Sequence, residues 1–324
     1  MPGINKIARL FSGQYSLISL LGNNGVRVLL YHHIAERDNK FIDHLGIRVH
    51  PDVFKWQLDL YARDYDVIDL ETALSGKLPR RPLLITFDDA YRTVLDVAAP
   101  MLKERGLPAV FFLSSEVVSG DGLMLDNLLN LLANQIGIGA LETALTEAEP
   151  QYDNIPTLIS KVVAKLPYEQ RSKLANELSA RYGLDPVALR RESNLYLEPG
   201  EVPELKKFGI DIGCHTASHA HCSSLDANAA EIEVIQAKRH LEEMSGLPVR
   251  VFSYPYADRA SDIAQQTIRR AGFKAEFLVN CRAMSRKHAG PIWYRTSVNS
   301  SDPESLFVEI EILPRLRAIK HSFD

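Results

Sequence analysis

Asp88 and Asp89 stand side by side in the stretch LLITFDDAYRT (83–93), where apolar or β-prone residues lead straight into two carboxylates. Neighbouring anions at the end of a buried strand repel each other and lose hydration, so the position needs an offsetting partner. A surface turn, a helix cap and a cation site are the three usual answers. A second group helps to choose among them. In GIDIGCHTASHAHCSSL (209–225), His215 and His219 directly follow the strand-like IDIGC. The H-x3-H spacing sets two imidazoles on one side of a helical turn, close enough to share a cation. Such a pair on its own, in a chain with ten histidines, reads first as a solvated turn. Position is what gives it weight. The Asp pair, the His pair and SYPYAD (253–258) each follow an expected strand, so in a parallel sheet all three ends meet on one rim. One Asp and two His make a three-ligand set with room for water, the pattern of a hydrolytic metal site. Adjacent carboxylates on an extended segment face opposite ways, so the two are expected to divide the work. One binds metal and the other takes a proton from the water that the metal activates.

Strands alternating with amphipathic helices would position these residues. VRVLLY (26–31), DVIDL (66–70), LLITF (83–87), AVFFL (109–113), IDIGC (210–214), VFSY (251–254), KAEFLV (274–279) and RTSV (295–298) read as strands. Between them lie expected helices at 51–64, 91–105, 227–244 and 262–271, the first opened by Pro51 and the second stopped by Gly106 and Pro108. A further helix, PESLFVEIEIL, precedes a basic tail, RLRAIKHSFD, which reads as a solvated end or a contact for anionic lipid. Residues 121–199 carry only helical periodicity and form an expected insertion between core strands: a lid, a wall for the substrate or a dimer surface. Such alternation implies a mainly parallel sheet covered by helices, either a barrel or an open doubly wound sheet, with chemistry at the carboxyl ends of the strands.

The 324 residues, 46% of them hydrophobic, can build one large α/β domain or two ordinary ones. A formal charge of −4 carries no nucleic-acid footprint. Three cysteines are too few for a disulfide framework and fit a reducing compartment. Residues 1–25 read as a short amphipathic helix with Lys6 and Arg9 ahead of a mildly apolar stretch, without an export pattern or a membrane-spanning run. The expectation is a cytoplasmic protein, with peripheral membrane contact left open.

TFDDAYRTVLDVAAPMLKERGLPAVFFLSSEVV resembles the first motif region of the polysaccharide deacetylases, the NodB-homology or carbohydrate esterase family 4 group. CHTASH resembles their H-[ST]-x-x-H motif and SYPY their third, while VLLYHHI is similar to the start of an L-x-Y-H subgroup. The likeness covers most of 26–120 and 200–298 and leaves the 121–199 helices outside. It implies a distorted (β/α) barrel, a divalent metal, usually zinc, and removal of N-acetyl or O-acetyl groups from a carbohydrate, with N-acetyl the leading case. By position it implies Asp88 as general base and Asp89, His215 and His219 as metal ligands. Thr216 takes the small hydroxyl position between the ligands, Pro255 lies in the third motif, and the backbone N–H of Tyr256 helps to hold the oxyanion.

Three departures stand out. The family's usual Gly after the acidic pair is Ala90, a change that a turn without positive φ accepts. The Arg that opens the third motif and pairs with the catalytic Asp is Ser253 here. The late motif with the general-acid His has no clear counterpart. His288 in SRKHAGP reads as a loop residue, whereas VRVLLY would deliver His32 to the rim and turn His33 to the other face. Two further readings stay double. Arg92 is a substrate contact or an exposed helix-start residue, and Trp293 with Tyr294 is a sugar-stacking face or core packing. Cys214, alternating with His215, is a buried apolar residue rather than part of a structural zinc site with Cys222. The leading function is a metal-dependent hydrolase of an acetylated sugar. The alternatives are a deformylase or other non-peptide C–N hydrolase acting on an amino sugar, and a carbohydrate-binding relative that has lost catalysis.

Overall fold

The computed structural model of the chain describes residues 25–37, 39–256, 260–280, 284–285 and 291–320. The expected helix over 1–25 and His288 therefore lie outside the described residues, Gly25 excepted. Seven strands carry the fold: β1 (Gly25–Tyr31), β2 (Pro82–Phe87), β3 (Ala109–Leu113), β4 (Ile210–Cys214), β5 (Val251–Ser253), β6 (Ala275–Val279) and β7 (Ile292–Ser297). Each pairs in parallel with its neighbour in this series. β7 pairs with β1, Leu29 opposite Thr296, and so closes the ring. Closure turns the sheet into a barrel and decides between the two architectures that alternation alone allows.

Strand periodicity of two then sorts the side chains. Leu29, Tyr31, Ile85, Phe111, Ile212 and Cys214 face outward into the main core under the helices. Val28, Leu84, Val110, Phe112, Phe277 and Trp293 face inward and fill the lower barrel. Gly213 holds an inward place because the ring of Phe112 occupies the space: a Cβ there would stand 2.3 Å from a ring carbon. The same alternation carries Asp88, His215 and His32 to the inner rim just beyond their strands.

Helix α1 (Pro51–Asp64) matches its expected bounds, with Pro in the first turn and His50 accepting from the Asp52 N–H as cap. Only Asp66–Val67 of DVIDL is strand, because the Asp69 carboxylate accepts from the Thr72 N–H and starts the helix Leu70–Ser75. β7 begins three residues earlier than expected, which draws Trp293 into the barrel. The 121–199 region is helical: α2 (Leu125–Ile136), α3 (Ile138–Thr146), α4 (Ile155–Lys161), α5 (Tyr168–Arg181) and α6 (Pro186–Ser193). These helices share a small core of their own around Leu128, Leu132, Leu141, Leu158 and Leu178. No single helix among the described residues is long and apolar enough to cross a membrane; α2 and α3 pass that test only as a pair bent by 120°.

The C-terminal helical segment is fastened to β1 by a buried ion pair. Arg27 donates to both carboxylate oxygens of Glu311 at 2.9 and 2.8 Å, and the Tyr65 hydroxyl donates to Oε1 at 2.7 Å. Burial alone favours the neutral acid, yet the hydrogen bonds and charge of Arg27 outweigh it and hold Glu311 below the usual carboxylate range. A depressed carboxyl stabilises the fold above its unfolded pKa of about 4.3, and the contribution is lost as pH falls through the folded value. Glu311→Ala strands the Arg27 charge and should cost about 3–5 kcal/mol at pH 7, read from the midpoint of urea unfolding. The wild-type advantage should shrink in acid.

Candidate active site

β2 delivers two carboxylates to one cavity by breaking its own extended course. Asp88 keeps the inward alternation, while Asp89 adopts φ 75°, and both side chains line the same space. Ala90 does not adopt positive φ, so the missing glycine costs nothing here. Four of the six non-glycine residues at positive φ among the described residues sit at this rim: Asp89, Thr216 (65°), His219 (60°) and Tyr256 (59°). Such conformations cost on the order of 1–3 kcal/mol each and persist only where the surroundings dictate them.

The two histidines are held by a tight loop rather than by the expected helical turn. The loop's exposed-looking donors are taken up by Glu233, fully buried, which accepts from the Ala217 and Ser218 N–H groups at 2.8 and 2.9 Å and from the Ser218 hydroxyl at 2.6 Å. His215 Nδ1 lies 2.9 Å from the Ser253 carbonyl oxygen, which can only accept, so that nitrogen carries the proton and Nε2 presents a lone pair. His219 Nδ1 lies 3.4 Å from Asp126 Oδ2. The remaining nitrogens converge on Asp89: its Oδ1 is 3.2 Å from His219 Nε2 and 3.6 Å from His215 Nε2. One ligand atom from each of Asp89, His215 and His219 falls within 4.8 Å of the other two. Asp89 Oδ1 is buried and makes no hydrogen bond within the protein. A buried, otherwise unsatisfied carboxylate oxygen facing two imidazole lone pairs fits a divalent cation, and one oxygen with two nitrogens is a donor set that zinc accepts.

Asp88 is gripped from across the barrel. Arg295 of β7 donates through Nη1 to Oδ1 and through Nη2 to Oδ2, both at 2.6 Å, and Nη2 also reaches the Ser253 hydroxyl oxygen at 2.6 Å. The guanidinium missing from the start of the third motif is thus supplied by another strand, and the small Ser253 makes room for it. Sequence reading missed Arg295; its signal was an arginine two residues beyond Trp293, in an inward position of a buried strand. Burial disfavours the Asp88 carboxylate, but Arg295, then His215, outweigh it and hold the group below the usual range. Asp89 is also held low against burial, chiefly by the neighbouring His219. His32 lines the cavity at the rim beyond β1. Burial pushes its imidazole below the ordinary value, while Asp89 and Asp88 pull it upward.

Several expected participants are placed elsewhere. Arg92 is spent on Glu201 in a bidentate pair and on Asp96 at 3.2 Å, tying a helix start to the segment that leads back from the insertion. Thr216 is buried and its hydroxyl accepts from the Ala220 N–H, closing the histidine loop rather than meeting substrate. Pro255 is buried and does not line the cavity. Trp293 packs against Phe277 at 5.8 Å in the lower barrel, a full layer beneath the rim, and offers no stacking face. His33 points away and hydrogen-bonds Thr93. Cys214 and Cys222 are buried and lie outside the ligand group; burial pushes the Cys214 thiol up to about 12. The insertion, which carries no charged motif in sequence, sends Asp126 into the site, and Met124, Pro156 and Ile159 wall the cavity beside Leu45 and Ile47. That cavity measures about 240 Å³, with Tyr256 at its edge.

The polysaccharide deacetylase family model matches residues 75–275. A poly-beta-1,6-N-acetyl-D-glucosamine N-deacetylase of Staphylococcus epidermidis is 27% identical over 211 residues, covering 59% of this chain and 72% of its own. The Streptococcus pyogenes deacetylase PplD, solved with acetate, superposes with a TM-score of 0.59 at 17% identity, over 89% of this chain and 98% of that one. IcaB from Ammonifex degensii gives 0.53 at 20% identity, over 92% and 97%. At these identities the structural likeness speaks to the fold, a seven-stranded barrel. The match of sequence motifs over more than half the chain goes further: this protein belongs to the polysaccharide deacetylase family, hydrolases of non-peptide carbon–nitrogen bonds.

Proposed function

We propose that the chain removes N-acetyl groups from amino-sugar units of a polysaccharide, using a divalent cation held by Asp89, His215 and His219. The observation that carries this reading is the convergence of that ligand set on one point beside an ionised, arginine-held Asp88. The relative in Staphylococcus epidermidis acts on poly-beta-1,6-N-acetyl-D-glucosamine, which makes such a polymer the first substrate to try.

A bound cation would supply Lewis acidity, polarising the acyl carbonyl and making a water acidic enough to attack it. The chain's own groups do the rest. Asp88 is a carboxylate at neutral pH and accepts the proton that the attacking water loses. Arg295 fixes the plane of that carboxylate through two parallel N–H bonds, and a positioned base is worth more than a mobile one. The backbone N–H of Tyr256 is the proposed donor to the oxygen that gains charge in the tetrahedral intermediate. His32 is the proposed group that passes a proton to the leaving nitrogen as the C–N bond breaks. The apolar wall of Leu45, Ile47, Pro156 and Ile159 keeps bulk water from these charges and so strengthens each contact. Ser253 in place of arginine gave the non-catalytic reading part of its support, and Arg295 removes that support.

The dialysed protein should hold about one divalent ion per chain and release acetate from N-acetylglucosamine oligomers. Asp88→Asn should abolish turnover while the ion stays bound, measured by acetate release and metal analysis on the same sample. His32→Gln should lower turnover about 10²–10⁴-fold with the ion retained, the range expected for loss of a proton-transfer group. Arg295→Met leaves the buried Asp88 charge unpaired and should destabilise the fold by about 3–5 kcal/mol, read from chemical unfolding.

A further inference from the structure

We infer that Asp126, carried by the helical insertion, is a positioning residue of the metal centre: it orients His219 and Tyr256 together, so the ion is held by the insertion as well as by the barrel. The inference rests on the metal reading above.

Asp126 stands in the first turn of α2 and is only 7% exposed. An acidic residue at a helix start ordinarily serves the helix, as a cap or a partner of its dipole, and does so in water. Asp126 does not cap this helix. The start of α2 has no side-chain cap hydrogen bond, and the contacts of the carboxylate lie on other segments. The Tyr256 hydroxyl donates to Oδ1 at 2.9 Å and Oδ2 at 2.8 Å, and His219 Nδ1 lies 3.4 Å from Oδ2. Burying an anion costs several kcal/mol unless its partners repay it, and here the partners are two rim residues.

The effect on His219 is geometric. Its backbone is at φ 60°, a conformation the residue does not favour, and its ring needs fixing at both ends. With Nδ1 turned to Asp126, Nε2 is left facing Asp89 Oδ1 at 3.2 Å, where its lone pair would meet an ion held by that oxygen. His215 has the same device with the Ser253 carbonyl as its acceptor. One ligand histidine is therefore oriented by the barrel and the other by the insertion. Asp126 also fixes the ring of Tyr256, which lies 4.6 Å from the His219 ring and stacks on His221 at 3.7 Å. Arg171 of α5 closes the chain of contacts, 3.5 Å from the Tyr256 hydroxyl. A partner that fixes a ligand's tautomer and ring plane is worth about 10–100-fold in metal affinity.

The test is the zinc dissociation constant of the full-length chain, measured by competition with a chromophoric chelator, for wild type, Asp126→Ala and the isosteric Asp126→Asn. Both variants should bind zinc about 10–100-fold more weakly than wild type. The His219 imidazole of the metal-free variants should also lose its fixed Nδ1–H tautomer, seen in nitrogen-15 spectra, a change that a merely structural role would not produce. The asparagine variant keeps size and shape, so it carries the measurement if the alanine variant does not fold. Zinc affinities within about twofold of wild type in the folded variants would overturn the inference and leave the metal reading standing. A wild-type chain that takes up no ion would overturn both.

Discussion

Three carboxylates, Asp88, Asp89 and Asp126, are gathered almost out of contact with water at one end of a barrel. Each must be repaid where it stands, because the surrounding dielectric magnifies every uncompensated charge. Asp88 is repaid by the fork of Arg295, and Asp126 by the Tyr256 hydroxyl and the His219 ring. Asp89 keeps one oxygen without a hydrogen bond, facing two imidazoles. The rest of the structure follows from meeting these debts: the position of β7, the small residue at Ser253 and the course of α2 all bring a partner to a carboxylate.

Backbone strain is the second cost, and it falls in the same place. Asp89, Thr216, His219 and Tyr256 all adopt a conformation that side chains disfavour. The barrel wall beneath them is regular, with Phe112 filling the space left by Gly213 and Arg295 lying 5.3 Å above the Phe112 ring. A rigid, apolar lower barrel can support a strained rim because its packing leaves the rim no alternative arrangement.

The strands were legible as short apolar runs, and the helices because their apolar faces repeat every three to four residues, but the strand order was not: alternation alone left an open sheet as well as a barrel. The candidate metal-holding group was legible because its members lie within a few residues of strand ends. What stayed hidden were contacts between segments far apart in the chain. Arg295 looked like a residue in an ordinary strand, since nothing local says that it meets Asp88 207 positions away. Asp126 lay in a stretch read only as helical, and Glu233 within the expected helix at 227–244, with nothing local to single either out. Arg92 and Trp293 erred in the opposite direction: chemically apt residues near the motifs, but a local ion pair and an inward register claimed them. Residue type and spacing identify candidates; only closure of the barrel decides which of them share a volume.

Closure has a bearing on how the chain is made. β7 is the last barrel strand to be synthesised, and it lies between β6 and β1. Until it docks, the nascent polypeptide carries Asp88 without its guanidinium, and the gap in the wall leaves the prospective interior open to solvent. Contacts of such long sequence separation form late. A ribosome-bound or prematurely ended chain would therefore hold Asp88 with no guanidinium to balance it, while Asp89 already had its histidines.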